Sequence, residues 1–106
     1  MKPVLFIISM AVAAAASGAP AAERQRELVR LVRQDCGACH GMTLKGGLGS
    51  PLLPQDLRGK PAASLVATVM QGRPGTAMPP WQSLLGEDDA EWIVARLLAG
   101  FPEEKP

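Results

Sequence analysis

The sequence has 106 residues, with 11 Lys and Arg against 10 Asp and Glu, for a formal net charge of +1. A chain of that length has room for one small domain and no second one, and so even a charge balance implies no nucleic-acid partner.

The chain opens with Lys2, an apolar run from Val4 to Ala16 and the small-residue stretch Ser17-Gly18-Ala19-Pro20-Ala21-Ala22. This is the order of a secretory signal: charged start, short apolar segment, small-residue cleavage zone. Residues 1–22 are therefore expected to be removed, with cleavage between 16 and 22. The alternative is a retained anchor, but the run falls short of the ~20 residues that span a bilayer. Roughly 85 residues then remain, near the lower limit for a self-sufficient hydrophobic core.

From Glu23 to Gln34, Leu28, Leu31 and Val32 recur at helical spacing with charges on the other side, which predicts an amphipathic helix. It runs into Cys36-Gly37-Ala38-Cys39-His40, holding both cysteines and the one histidine of the chain. This is the C-x-x-C-H attachment pattern for a c-type haem. Two thiols on one helical turn can each add to a vinyl group of one porphyrin, and the adjacent imidazole then reaches the iron. Other readings of a C-x-x-C are a redox dithiol, a zinc half-site or a local disulfide. The redox pair wants a preceding strand, whereas the residues before Cys36 are helical in pattern. Zinc wants four ligands and finds three. A Cys36–Cys39 disulfide would close a loop too short to stabilise much.

Residues 41–54 carry Gly41, Gly46, Gly47, Gly49, Pro51 and Pro54 and read as loop. Pro61 suits the first position of a second helix, stopped near Gln71 by Gly72 and Pro74, with Leu65, Val66 and Val69 as its buried stripe. Residues 73–85 are again irregular. A last helix is expected from Glu87, where three acids suit the dipole, through Trp92, Ile93, Leu97 and Leu98 to Gly100. The domain spans 23–101, and the polar tail 102–106 is expected to be frayed. Charges are uneven along the chain. Bases dominate from Glu23 to Arg73 and acids from Pro74 onward, a dipole able to steer an encounter with a charged partner.

A second axial ligand must come from the other haem face. Met1 and Met10 leave with the signal, Met42 is too close to His40 to reach round, and Met70 lies within a helix, where methionine usually fills core. Met78 lies in Gly75-Thr76-Ala77-Met78-Pro79-Pro80, where the Met-Pro step keeps the backbone extended. His40 and Met78 are thus the candidate iron ligands; the other reading of Met78 is a packed loop residue.

The C-x-x-C-H-G motif, Gly-Ser-Pro-Leu-Leu at 49–53, Gly-Thr-Ala-Met-Pro-Pro-Trp at 75–81 and the amphipathic C-terminal helix together resemble a small class I cytochrome c. The resemblance covers nearly all of the mature chain. It implies an all-α fold of three to four helices around one covalent haem c, held by Cys36 and Cys39. It further implies that the Pro51 carbonyl accepts the Nδ1–H of His40. The first helix lacks the family's glycine opposite the aromatic of the last helix. Gly86 stands where a Ser or Thr cap is common, and the tail ends soon after Phe101.

More narrowly, the wording around residues 36–49 and 72–81 is similar to the NirC-type periplasmic cytochromes of denitrification clusters. That similarity implies a one-electron carrier, not an enzyme, located in the periplasm without stable membrane insertion. It would receive electrons from an upstream donor and pass them to a dihaem nitrite reductase. Maturation of the reductase's d-type haem, or supply to another periplasmic redox enzyme, are the alternatives. A peroxidatic or ligand-binding haem would need an open axial position, which Met78 ligation denies. Gly37, Ala38, Leu44 and Gly46 to Gly49 are the expected docking patch; the bland reading of it is an exposed glycine loop.

Overall fold

The computed structural model describes residues 2–8 and 18–104. Most of the apolar run expected as a signal, with Met1 and Met10, lies outside the described residues, as do Lys105 and Pro106. Residues 2–8 have no regular structure. The described chain is all-α, without a strand, and none of its helices is long and apolar enough to cross a membrane.

Helix α1 (Ala22–Leu31) turns its charges outward and buries Leu28 completely. It passes into a π-helical segment at Val32–Cys36, where the Gly37 N–H reaches back to the Val32 carbonyl, and then into α2 (Gly37–His40). The helical run thus carries the whole attachment motif, as expected of two thiols on one helical turn. A π turn widens the helix locally, a distortion common at functional sites. Gly41, at φ 91°, ends the run.

The following loop is tightly bonded. The Gly46 N–H donates to the His40 carbonyl (2.8 Å), Gly49 to Cys39 (2.6 Å) and Leu52 to Leu44 (2.8 Å). Leu44 sits in the left-handed region at φ 61° and is only 1% exposed. The backbone cost of about 1–2 kcal/mol is of the same order as the roughly 2 kcal/mol gained by burying a leucine. A short helix, α3 (Pro54–Leu57), follows, starting at the last residue of the expected loop and running through a stretch for which no element was expected. Pro54 is at its first position, the Asp56 carboxylate accepts the Leu53 N–H (3.1 Å), and Leu57 is buried.

Helix α4 (Ala62–Gln71) starts after Pro61, which stands just outside as its N-cap, and stops at Gly72. No α4 residue is fully buried; Leu65, Thr68 and Val69 face a cavity. Helix α5 (Glu87–Ala99) buries Ala90, Ile93, Val94 and Leu97 and packs against α3 and α4. Gly86 offers no capping side chain, but Asp89 in the first turn accepts the Gly86 N–H (3.0 Å). The same carboxylate receives Arg24 Nη2 at 3.0 Å, joining α1 to α5.

Beyond α5 the tail is held, not frayed, as far as it is described. Arg33 donates to the Phe101 carbonyl (2.9 Å) and through two nitrogens to the Pro102 carbonyl (3.1 and 2.9 Å). Its guanidinium lies 5.5 Å from the Phe101 ring centroid. Gln34 bonds Glu104 (2.9 Å). Phe101 in turn meets Trp92 edge-on, centroids 6.3 Å apart. Trp92 thus takes its aromatic contact from the segment after α5.

Candidate haem site

A cavity of about 520 Å³ opens between the α2 turn, α4, the Met78 loop and α5. Cys36, Cys39 and His40 line it from the helical run, and Met78, Pro79 and Trp81 from the loop after α4. Val32, Leu57, Leu85, Ile93 and Leu97 contribute to it from the core. The domain's apolar interior is therefore built around this space.

His40 is held by a 2.6 Å contact between Nδ1 and the Ser50 carbonyl. A carbonyl only accepts, so Nδ1 carries the proton and Nε2 keeps its lone pair for a metal. The acceptor expected from Pro51 is thus Ser50, one residue earlier. Proline restricts the residue before it to extended backbone, so Pro51 acts by fixing Ser50. Its own ring lies beside Gly46, where an added Cβ would stand 3.4 Å from Pro51 Cδ. Gly49 completes the support: a Cβ there would come within 2.9 Å of His40 Nδ1.

Among the described methionines, Met78 is the one lining the cavity. Met42 is 64% exposed, and Met70 packs against the core from within α4. The Met78 N–H donates to Thr76 Oγ1 (3.3 Å), and its carbonyl accepts the Arg73 N–H (3.2 Å). Gly72, at φ 69°, lets the loop cross closely; a Cβ there would stand 2.7 Å from the Met78 carbonyl oxygen.

The cysteines are free, Cys36 half-buried and Cys39 exposed. Burial, with a smaller contribution from the Asp35 carboxylate, pushes the Cys36 thiol up to about 11. A redox dithiol lowers its thiol instead. The described residues also contain no group of three or more His, Cys, Asp and Glu arranged to hold a metal ion. The raised Cys36 thiol runs against the redox-dithiol reading.

Residues 23–95 match the family described as cytochrome c oxidase, cbb3-type, subunit III. A cytochrome c55X of Pseudomonas aeruginosa is 62% identical over 81 residues, covering 76% of this chain and 68% of that protein. A solved c-type cytochrome NirC superposes with TM-score 0.76 at 60% identity, covering 76% of this chain and 95% of that one. The chain belongs to the monohaem c-type cytochromes of the cytochrome c55X (NirC) family. It is an electron-transfer protein with one covalent haem c. A more distant relative, the dihydro-heme d1 dehydrogenase of Pseudomonas aeruginosa, is 38% identical over 70% of this chain and 15% of its own length.

The cavity of this cytochrome fits that group. It offers two thiols on one turn, an oriented imidazole, a thioether from another segment and largely apolar walls. Its volume is within the about 300–1,000 Å³ usual for ligand sites. The expected docking patch needs correction. Gly37 is buried and Leu44 turns into the core, because its left-handed backbone points the side chain inward. Ala38, Cys39 and Gly47 are exposed, and Leu48 is 97% exposed while still lining the cavity mouth. Sequence reasoning passed over Ser50, Lys60, Ser64 and Thr68 as lining residues; no local motif marks them.

Proposed function

We propose that Cys36 and Cys39 would hold the haem as thioethers and that His40 and Met78 would be the protein ligands of its iron. On this reading the protein is a periplasmic one-electron carrier that supplies a dihaem nitrite reductase in denitrification. The observation that carries it is one cavity receiving both thiols, the imidazole and a single thioether sulfur. Haem bound in this way supplies a ferric/ferrous couple.

The chain's residues do the rest. The Ser50 carbonyl holds the His40 ring in one tautomer and makes it a stronger donor. Met78 offers soft sulfur, which favours the ferrous state and raises the potential. His40 and Met78 would together hold the iron through protein groups, which suits electron transfer over substrate binding. Val32, Leu57, Leu85 and Ile93 keep water from the interior. Leu48 and Ala38 give an exposed, weakly polar contact beside the attachment turn, suited to brief docking.

The signal-like residues 1–22 support the periplasmic location, with no stable membrane insertion after cleavage. The loop resemblance and the uneven charge support the reductase as partner, with a separate upstream donor. A second reading, service in maturing the reductase's d-type haem, is favoured by the likeness to a protein named dihydro-heme d1 dehydrogenase. Stopped-flow mixing of reduced cytochrome with oxidised reductase separates the two. Fast oxidation that slows or quickens with ionic strength, followed by nitrite turnover, supports the carrier. Charge reversal at Lys45 should then change the rate more than reversal at Glu103. Slow transfer at every salt concentration, with d-type haem missing from reductase made in a strain lacking the protein, supports maturation instead.

A further inference from the structure

The walls of the cavity include three charged side chains, Asp35, Lys60 and Arg73. Haem is an apolar disk with two carboxylates on the edge opposite its vinyl groups. Attachment at Cys36 and Cys39 would fix the vinyl edge at the helical run and turn the carboxylate edge toward the opposite wall. The charges are sorted to match. Asp35 adjoins Cys36, on the vinyl side. Lys60 and Arg73 stand at the two ends of α4, another wall of the same cavity, and among the described residues neither has a carboxylate partner.

The two cations are not equivalent. Lys60 contributes its backbone to the end of α3, where its N–H donates to the Leu57 carbonyl (3.1 Å). Arg73 is built into the Met78 loop. Its N–H donates to the Met78 carbonyl (3.2 Å), and its own carbonyl accepts Thr76 N–H (3.0 Å) and Thr76 Oγ1–H (2.7 Å). Thr76 Oγ1 then accepts the Met78 N–H. A guanidinium also presents a planar fork that matches a carboxylate, which an ammonium does not.

We propose that Arg73 pairs with a haem carboxylate and that its backbone ties the Met78 loop to that contact. The inference rests on the haem reading above. Arg73 is a positioning residue: it neutralises a charge beside the iron and anchors the segment that presents the thioether. Removing the guanidinium leaves the carboxylate unopposed, which favours ferric iron and links reduction to proton uptake.

The test uses purified holoprotein of wild type, Arg73→Gln, Arg73→Lys and Lys60→Gln. Midpoint potentials are measured across the carboxylate and imidazole titration ranges, about pH 4 to 7. The expected result is a nearly flat profile for wild type and Lys60→Gln. Arg73→Gln should have a lower potential that varies with pH, and Arg73→Lys should recover part of the loss. A profile for Arg73→Gln that overlays wild type, or a larger shift in Lys60→Gln, overturns the assignment. Should Arg73→Gln mature poorly, the reduced wild-type protein decides. Its NMR spectrum should show contacts from the Arg73 side-chain N–H protons to the carboxylate-bearing methylenes of the haem, and their absence overturns the proposal. The sulfur-to-iron charge-transfer band of ferric wild type reports separately on Met78, so failure of the ligand reading is distinguishable from failure of the Arg73 contact.

Discussion

Gly49 and His40 lie so close that a single carbon added to the glycine would stand 2.9 Å from the imidazole Nδ1 and 3.0 Å from Cε1. The loop after the motif is thereby pressed flat against one side of the ring while the Ser50 carbonyl holds its edge. Gly49→Ala should force the ring or the loop to shift, at about 1–3 kcal/mol, the usual cost of overpacking. Gly86→Ala, where the added carbon meets only Asp89 Oδ2 at 3.7 Å, should be close to neutral. Denaturant unfolding of the two holoproteins checks the difference. Equal midpoints would mean that the ring has room to spare.

Met78 is the described methionine that the cavity receives, and its removal should be specific. The weak near-red band of ferric His/Met iron should be present in wild type and absent in Met78→Ala. It should survive in Met42→Leu and Met70→Leu. Met78→Ala should also bind added imidazole and have a lower midpoint potential. Survival of the band in Met78→Ala would move the ligand to another sulfur.

Acid stability has a definable component in Asp89. Its hydrogen bonds from Arg24, and secondarily from the Gly86 N–H, hold its carboxyl below the usual range, against the opposing effect of burial. A carboxyl depressed in the folded state stabilises above its unfolded value of about 3.9, and that stability is lost as pH falls through the folded value. Arg24 is 36% exposed, so screening limits the ion pair to about 1 kcal/mol or less. Asp89→Asn should lower stability at pH 7 and narrow the gap to wild type at low pH. A gap independent of pH would remove Asp89 from the acid response.

Arg33 should matter more than a surface arginine. One guanidinium satisfies the Phe101 and Pro102 carbonyls and lies over the Phe101 ring. Arg33→Ala should cost about 1.5–3 kcal/mol, the range for hydrogen bonds to a charged group. In a domain this small, each kcal/mol lowers Tm by about 4–8 °C. Arg26→Ala, at an exposed position, is the control. Matching thermal melts for the two variants would show that the tail contributes nothing.

The parts of the site that depend on neighbouring residues were legible in the sequence. Cys36, Cys39 and His40 form one turn, and the Pro- and Gly-rich setting of Met78 singles it out from Met42 and Met70. Gly72 and Gly86 bound their helices as expected. What escaped depends on distant or conformational partners. Leu44 reads as an exposed loop residue until its left-handed backbone turns it inward. Pro51 carries the signal, but the acceptor it fixes is Ser50. Arg33 meets a tail 69 residues away, and nothing near it in sequence announces that. The short α3 did carry a local mark, a proline at its first position followed by an acid.

The two sulfurs differ in a way that bears on how the protein is made. Cys39 is exposed, whereas Cys36 is half-buried and burial pushes its thiol up. Helix α4 meanwhile has no fully buried residue of its own, because its inner face is turned to the cavity. A chain that closed before receiving its cofactor would present one exposed sulfur and one shielded one, around a hollow it cannot fill. On the proposed attachment, bonds to both sulfurs would form more readily on an open chain, with α4 and α5 settling onto the cofactor afterwards.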